Sequence, residues 1–166
     1  MDGIWRGVEV DQTTLRRLLR ALRQEADGKT LKSDLVRELR KAAEPARDAA
    51  RTAVLSIDSH SGVVPDLRAA VARSTRISVR TTGRVGVSIR ASKRGMPRGF
   101  LNAPQRLNSR RGWRHPFFGD RERWYAQMGK PGWFDDSISP FAPAAREGAA
   151  QALERVAKRI DYTTKG

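Results

Sequence analysis

Side chains that could carry catalysis are few in this sequence. It contains two histidines, His60 and His115, and no cysteine. The run Asp58-Ser59-His60 holds residue types of a hydrolase triad, but a triad depends on geometry, and we expect these neighbours to form a turn. Asp135 and Asp136 could bind a hard cation, but without further oxygen ligands we expect them to cap the segment that follows. Zinc-ligand spacings and phosphate-binding glycine motifs are also absent. The sequence therefore predicts no catalytic residue, no metal site, no cofactor and no enzymatic activity.

Positive charge is concentrated in the middle of the chain. The net charge is +15, and residues 61–134 hold 16 Lys or Arg against 3 Asp or Glu. Residues 1–60 hold 12 against 10, and residues 135–166 hold 5 of each. Such a block indicates a polyanion or an acidic protein surface as partner, and the alternative is an ordinary solvated surface. The candidate residues are Arg76, Arg80, Arg84, Arg90, Arg94, Arg98, Arg106, Arg110 and Arg111.

Two alternating segments predict a β-hairpin at about residues 75–91. The aliphatic side chains on one side are Ile77, Val79, Val85, Val87 and Ile89. Those on the other side include Arg76, Arg80, Arg84 and Arg90. We expect an alanine-rich helix to cover the aliphatic face. Because like charges opposite each other destabilise a sheet, we expect the arginine face to meet something negative.

Apolar residues at helical spacing predict the elements that surround this hairpin. The predicted helices cover residues 13–26, 31–57, 66–74 and 141–160. Asp11 or Thr13 can cap the first helix, and Gly28 can end it. Pro45 lies inside the second helix and predicts a kink or a break near residues 41–44. We interpret the first helix as a core-packing helix, and docking on a neighbouring chain is the alternative.

Residues 93–138 lack a helical or strand period over most of their length. A stretch of this length without secondary structure is usually functional or disordered. Disorder predicts few aromatic residues, yet 8 of the 11 aromatics lie between residues 113 and 141. We therefore expect an extended, ordered segment that buries aromatics in its own core or against a neighbouring subunit. Its arginines, interleaved with Phe100 and Trp113, suit non-specific contact with nucleic acid.

This segment carries a recognisable pattern. It reads Gly112-Trp113-Arg114-His115-Pro116-Phe117-Phe118-Gly119, then Trp124, Gln127 and Pro131-Gly132-Trp133-Phe134. The pattern resembles the small head–tail connector proteins (neck or tail-completion proteins) of tailed phages that infect actinobacteria, which share an Arg-His-Pro-aromatic-aromatic-Gly box. Upstream, residues 61–72 and the hairpin follow the order of parts in that family. The resemblance covers about residues 31–160.

The resemblance implies an α+β fold. A small antiparallel β-sheet would be packed by long helices, with an extended aromatic-rich loop and a C-terminal helix. Together with the composition, it predicts an N-terminal helical arm at residues 1–30, a single α+β domain at residues 31–160 and a flexible tail at residues 161–166. The family has no catalytic residues to carry over.

The resemblance also implies partners and a location. The chain would form a closed ring, a hexamer or alternatively a dodecamer, at the head–tail junction of a virion assembled in the host cytoplasm. The ring would surround non-specifically held double-stranded DNA, contact a head-side adaptor or stopper ring and a tail-tube or tail-terminator ring, and involve no membrane. The expected interface residues are Trp113, Arg114, His115, Pro116, Phe117, Phe118, Trp124, Trp133 and Phe134.

Two alternatives stay open at this point. The chain could be a tail-terminator ring protein of similar size at the same junction. It could instead be a general nucleic-acid-binding protein that coats DNA as a monomer. Within the box, we expect His115 to tie down a loop carbonyl rather than to act as a pH switch.

Overall fold

A computed structural model describes residues 3–58, 67–117 and 120–164 of the chain. The helices are α1 (Gln12–Ala21), α2 (Gly28–Leu55), α3 (Leu67–Ser74), α4 (Ala103–Leu107), α5 (Trp133–Ile138) and α6 (Ala142–Thr164), the last preceded by a 3₁₀ turn, Ser139–Phe141. The strands are β1 (Gly3–Val8), β2 (Thr75–Arg80), β3 (Gly86–Ser92), β4 (Trp113–Phe117) and β5 (Asp120–Gln127). The predicted α+β class, with small antiparallel sheets and a C-terminal helix, is confirmed. The predicted turn around Ser59 and His60, the start of α3 at Pro65 and Asp66, and Phe118 lie outside the described residues.

The strands form two sheets. One has three strands in the order β1-β3-β2, and the other consists of β4 and β5. The predicted hairpin corresponds to β2 and β3, but β1 was not predicted, because its two glycines weaken the alternation. The predicted basic face is wrong in two respects. Arg84 lies in the bend before β3, and Ser88 on that face is 9% exposed, because β3 is the inner strand and is covered on both sides.

The contacts divide the chain into two interleaved units. The first comprises Met1–Trp5, Asp48–Arg76 and Arg90–Ile138, and the second comprises Arg6–Arg47, Ile77–Ile89 and Ser139–Gly166. The boundary passes through α2 and through all three strands of the larger sheet. The predicted division at residues 30 and 160 stays a prediction.

The second unit is built on leucines. Its buried cluster combines Leu15, Leu18, Leu19 and Leu22 of α1 with Leu31, Leu35, Leu39 and Ala43 of α2, residues of α6, and Val85 and Val87. Four of the five aliphatic residues of the hairpin, Ile77, Val79, Val85 and Val87, therefore pack with α1, α6 and the leucine-rich half of α2, where cover by the alanine-rich half was expected. Ile89, the fifth, is buried outside this cluster, and its cover by the alanine-rich half of α2 stays a prediction. At the start of α1, Asp11 accepts hydrogen bonds from the backbone amides of Thr13 and Thr14 at 2.9 and 3.1 Å, as a helix cap does.

Two predicted helix boundaries are corrected. α1 ends at Ala21, and Gly28 begins α2 instead of ending α1. A Cβ atom at position 28 would collide with the Leu22 carbonyl oxygen, so the close approach of the chain there requires glycine. α2 runs unbroken through Pro45, so the predicted break is wrong. Pro45 itself is exposed, on the side of the helix away from the buried residues. At the other end of the chain, α6 continues to Thr164.

The first unit contains most of the aromatic segment. The expectation that residues 93–138 lack regular secondary structure is wrong, since α4, β4, β5 and α5 all lie there. These helices are too short to show a period, and the exposed strand β5 has no alternation of apolar residues. Trp133 and Phe134 are 1% exposed and meet edge to face, with ring centroids 5.3 Å apart. Asn108 Oδ1 accepts a hydrogen bond from the Phe134 amide at 3.3 Å.

A close approach between α2 and α6 gives a stability test. A Cβ atom at Gly148 would lie 2.9 Å from the Cβ atom of Ala42. We expect Gly148→Val to lower the free energy of unfolding by about 1–3 kcal/mol, because the added methyl groups overpack this contact. The measurement is urea denaturation followed by circular dichroism. Ala150→Val, at an exposed position of the same helix, is the matched control and should cost less than about 1 kcal/mol. Equal losses in the two variants would contradict the packing argument.

Candidate functional site: the β4–β5 hairpin

Much of the β4–β5 hairpin is exposed, above all strand β5. The two strands are antiparallel, and the register pairs Trp113 with Gln127, His115 with Tyr125 and Pro116 with Trp124. The register shifts between Pro116 and Phe117. Every residue of β5 from Asp120 to Ala126 is exposed, so neither face of this strand is covered along most of its length.

The base of the hairpin is anchored on one face. Trp113 is 8% exposed, and the half-buried His115 ring meets Phe100 edge to face, with centroids 5.5 Å apart. Across the strands, the His115 ring stacks on Tyr125 with centroids 6.4 Å apart. His115 Nδ1 lies 3.2 Å from the Pro116 carbonyl oxygen, which is the kind of contact expected for a structural histidine. These contacts fix the direction in which the hairpin leaves the unit.

The opposite face of the hairpin is open. Residues paired across antiparallel strands project to the same side, so Pro116 and Trp124 form one apolar patch, with Arg114 and Ala126 as the next pair. Trp124 is 49% exposed, and its indole Nε1 donates to the Arg121 carbonyl oxygen at 2.8 Å. This bond holds the ring in one orientation while about half of the residue's surface stays accessible. The patch is apolar with a basic margin.

The hairpin also has open edges. In the described part of the chain β4 pairs only with β5, so each strand has backbone groups on its outer edge that no third strand occupies. Two-stranded hairpins are marginally stable in water, and long exposed edges attract other chains. Tryptophan, tyrosine and arginine dominate the central, energetically important residues of protein interfaces. The unpaired strand edges, the apolar patch and the aromatic and arginine side chains are together typical of a protein-binding element.

The predicted interface residues separate into two groups. Arg114 and Trp124 are exposed on the hairpin, and His115 and Pro116 are half-buried. In contrast, Trp113, Trp133 and Phe134 are buried in the chain's own core. This is the first of the two alternatives expected for the aromatic segment, the other being burial against a neighbouring subunit. The side chain of Phe117 and residue 118 lie outside the description. Tyr125, Arg121 and Arg123 were not predicted, although the alternating charges that precede Trp124 are compatible with an exposed strand.

The predicted basic residues do not form one surface element. Arg76 and Arg80 are exposed on β2, Arg84 is exposed in the bend before β3, and Arg90 is half-buried on β3 and has an interaction partner. The exposed arginines of the segment that leads to β4 are Arg94, Arg98, Arg110 and Arg111, and Arg106 on α4 is half-buried. Their contact with DNA or with acidic protein stays a prediction.

The described residues contain no group of three or more histidine, aspartate or glutamate side chains placed to share a metal ion. Asp135 and Asp136 lie in the first turn of α5, where carboxylates suit the helix dipole. No helix in the described ranges combines the length and the apolar character needed to cross a membrane. Comparisons of the chain with protein-family models, with curated proteins and with solved structures found no match.

A glycine at the base tests whether the hairpin depends on its anchor. Gly112 has φ of 59°, and a Cβ atom there would collide with the Gln127 carbonyl oxygen. We expect Gly112→Ala to cost more than the roughly 1–2 kcal/mol of a left-handed alanine alone, and to change the near-ultraviolet circular dichroism of the tryptophans. The control is Gly83→Ala, because Gly83 has φ of 63° but open space around it. Equal costs in urea denaturation would show that the collision is relieved without harm to the hairpin.

Proposed function

We propose that this protein is a structural subunit of the neck of a tailed phage. In this proposal it closes into a ring at the head–tail junction around double-stranded DNA, contacts the neighbouring head-side and tail-side rings, and catalyses no reaction. The observation that carries the proposal is the β4–β5 hairpin, whose outer strand is exposed on both faces and along its edge. A hairpin of this kind is suited to binding another protein chain.

Three further features support the proposal. The Arg-His-Pro-aromatic box, on which the resemblance to neck proteins depends, lies on β4, the strand that pairs with the exposed β5. The patch formed by half-buried Pro116 and exposed Trp124 suits a contact that repeats around a ring, because a closed ring covers apolar patches that would cause aggregation in a monomer. The net charge of +15 suits a subunit near DNA.

The composition of the hairpin favours assembly over the alternative of a monomeric DNA-coating protein. A monomeric coat protein needs cations and stacking aromatics along a groove. On the hairpin, the Trp124 indole is tied to the Arg121 carbonyl oxygen, and Arg123 has Asp120 nearby at 3.8 Å. The acidic residues Asp120 and Glu122 would repel phosphates. These features suit a protein partner better than a nucleic acid strand.

The test removes the exposed aromatic rings of the hairpin. In particles assembled with Trp124→Ala/Tyr125→Ala in place of the wild-type chain, we expect full heads and separate tails, seen by electron microscopy. If these rings are central to the interface, each costs about 2 kcal/mol or more, so a contact weakens about thirtyfold. Sedimentation velocity of the isolated protein should show the same loss of self-association.

The matched control truncates exposed apolar residues elsewhere in the first unit. Leu55 and Leu101 are 51% and 57% exposed, and Leu55→Ala/Leu101→Ala should leave particle yield unchanged. Joined particles at normal yield with the hairpin variant would refute the assembly role. A wild-type chain that is monomeric and absent from particles would instead favour the nucleic-acid-binding alternative.

A further inference from the structure

We infer that one face of α2 binds the phosphate backbone of duplex DNA through Lys29, Lys32, Arg40 and Lys41, which we call the α2 cation stripe. The inference rests on the proposed function and deepens it, because it names a surface of the subunit that meets DNA. Residues 1–60 are nearly balanced in charge, so the charge distribution along the sequence does not point to this helix.

The stripe is continuous along the helix. Its four residues are separated by three, eight and one positions, and Ser33, Val36 and Arg37 lie between them. At 3.6 residues per turn, all of these positions fall on one side of α2. From Lys29 to Lys41 the helix rises by about 18 Å. The same side lines a shallow, open groove, and five of its eight described lining residues are lysine or arginine, with Glu44 as the one acid among them.

The acidic residues of α2 do not neutralise the stripe. Asp34 accepts a hydrogen bond from Arg159 of α6 at 2.9 Å, and Glu38 accepts one from Arg155 at 3.0 Å. The Arg159 hydrogen bond lowers the pKa of Asp34, with Arg37 adding to the effect, so the carboxylate stays ionised and occupied. Glu44 has Arg47 at 3.8 Å.

The four cations of the stripe therefore remain without compensation. All four are exposed, and in the described part of the chain none has an ion-pair partner. Like charges at helical spacing destabilise a helix. Lys29 also stands in the first turn, where the helix dipole disfavours a cation. An external anion would remove both penalties.

The residue types in the groove indicate which kind of external anion the stripe binds. Protein interfaces are depleted of lysine at their centres and depend on aromatic anchors. The groove contains three lysines and no aromatic residue, and half-buried Val36 is its one aliphatic side chain among the described residues. Protein–DNA interfaces are polar and strongly positive. Lysine binds phosphate as a point charge, and phosphate contacts carry no sequence information directly, so binding through the backbone is not sequence-specific.

The experiment measures how DNA affinity depends on salt. The full-length wild-type chain is titrated into a short duplex of random sequence by fluorescence anisotropy, between about 50 and 200 mM salt. Each phosphate contact contributes about 0.9 to the slope of log affinity against log salt. The variant Lys29→Gln/Lys32→Gln/Arg40→Gln/Lys41→Gln keeps good helix formers, so we expect it to fold, to bind at least about tenfold more weakly at the lower salt, and to lose up to about 3.6 from the slope.

The matched control removes the same number of charges from another helix of the second unit. Arg16→Gln/Arg17→Gln/Arg20→Gln/Arg23→Gln changes four exposed arginines on α1 or just after it. We expect its slope to stay close to the wild-type value. Circular dichroism and sedimentation velocity on both variants confirm that fold and assembly state are retained before affinities are compared.

Three outcomes would overturn the inference. They are equal losses in the stripe variant and the control, an unchanged slope in the stripe variant, and a wild-type chain that does not bind duplex DNA at the lower salt. Loss of binding to polyglutamate by the stripe variant, with DNA binding intact, would identify an acidic protein as the partner instead. Failure of the proposed function has a different signature, namely normal head–tail joining with the hairpin variant.

Discussion

The apolar side of α2 is the constraint on which the two units depend. It must be buried along a helix of 28 residues. Leu31, Leu35 and Leu39 are buried in the second unit, and Ala50 and Val54 are buried in the first. A proline inside a helix costs about 3 kcal/mol, whereas burial of one leucine contributes about 1.5–3 kcal/mol. The leucines therefore suffice to keep α2 helical through Pro45, and one continuous helix can serve both units.

The buried side of α2 also determines which charged residues on its other sides meet a partner within the chain. Asp34 and Glu38 meet the arginines of α6, so the acids of this helix are used within the chain. The cations of the stripe fall on another side of the helix and have no such partner among the described residues. The overall charge of α2 therefore conceals two surfaces of different character. Tertiary packing, rather than composition, separates the charges.

Much of the fold could be predicted from the sequence wherever burial of one side produces a periodic pattern of apolar residues. The leucines of α1, the long stripe of α2, the alternation in β2 and β3, and the apolar positions of α6 all predict their elements, because each buries one side only. The β4–β5 hairpin could not be predicted in this way. Strand β5 is exposed on both faces, so it has no period of apolar residues to detect. Its aromatic density predicted order but not the element.

The two candidate sites also differ in how far the sequence predicts them. Aromatic clustering identified the segment of the hairpin, but it could not distinguish Trp133, which is buried, from Trp124, which is 49% exposed. That distinction depends on which residues begin a short helix and which lie on an uncovered strand. The α2 stripe did have a signal, since lysine and arginine recur at helical spacing. Counting charge by segment hid it, because the acids that pair with α6 were counted against it.

In the proposed assembly, the hairpin is preorganised for binding even though little of it is buried. Its base is held by buried Trp113 and by the contacts of His115 with Phe100 and Tyr125. The Trp124 indole is held by its bond to the Arg121 carbonyl oxygen. Association costs free energy for every side chain and loop that must be ordered at the interface. A hairpin ordered at its base, with a large aromatic ring already oriented, pays little of that cost on meeting its partner. The arrangement that looks marginal in one isolated chain is therefore the one that favours assembly.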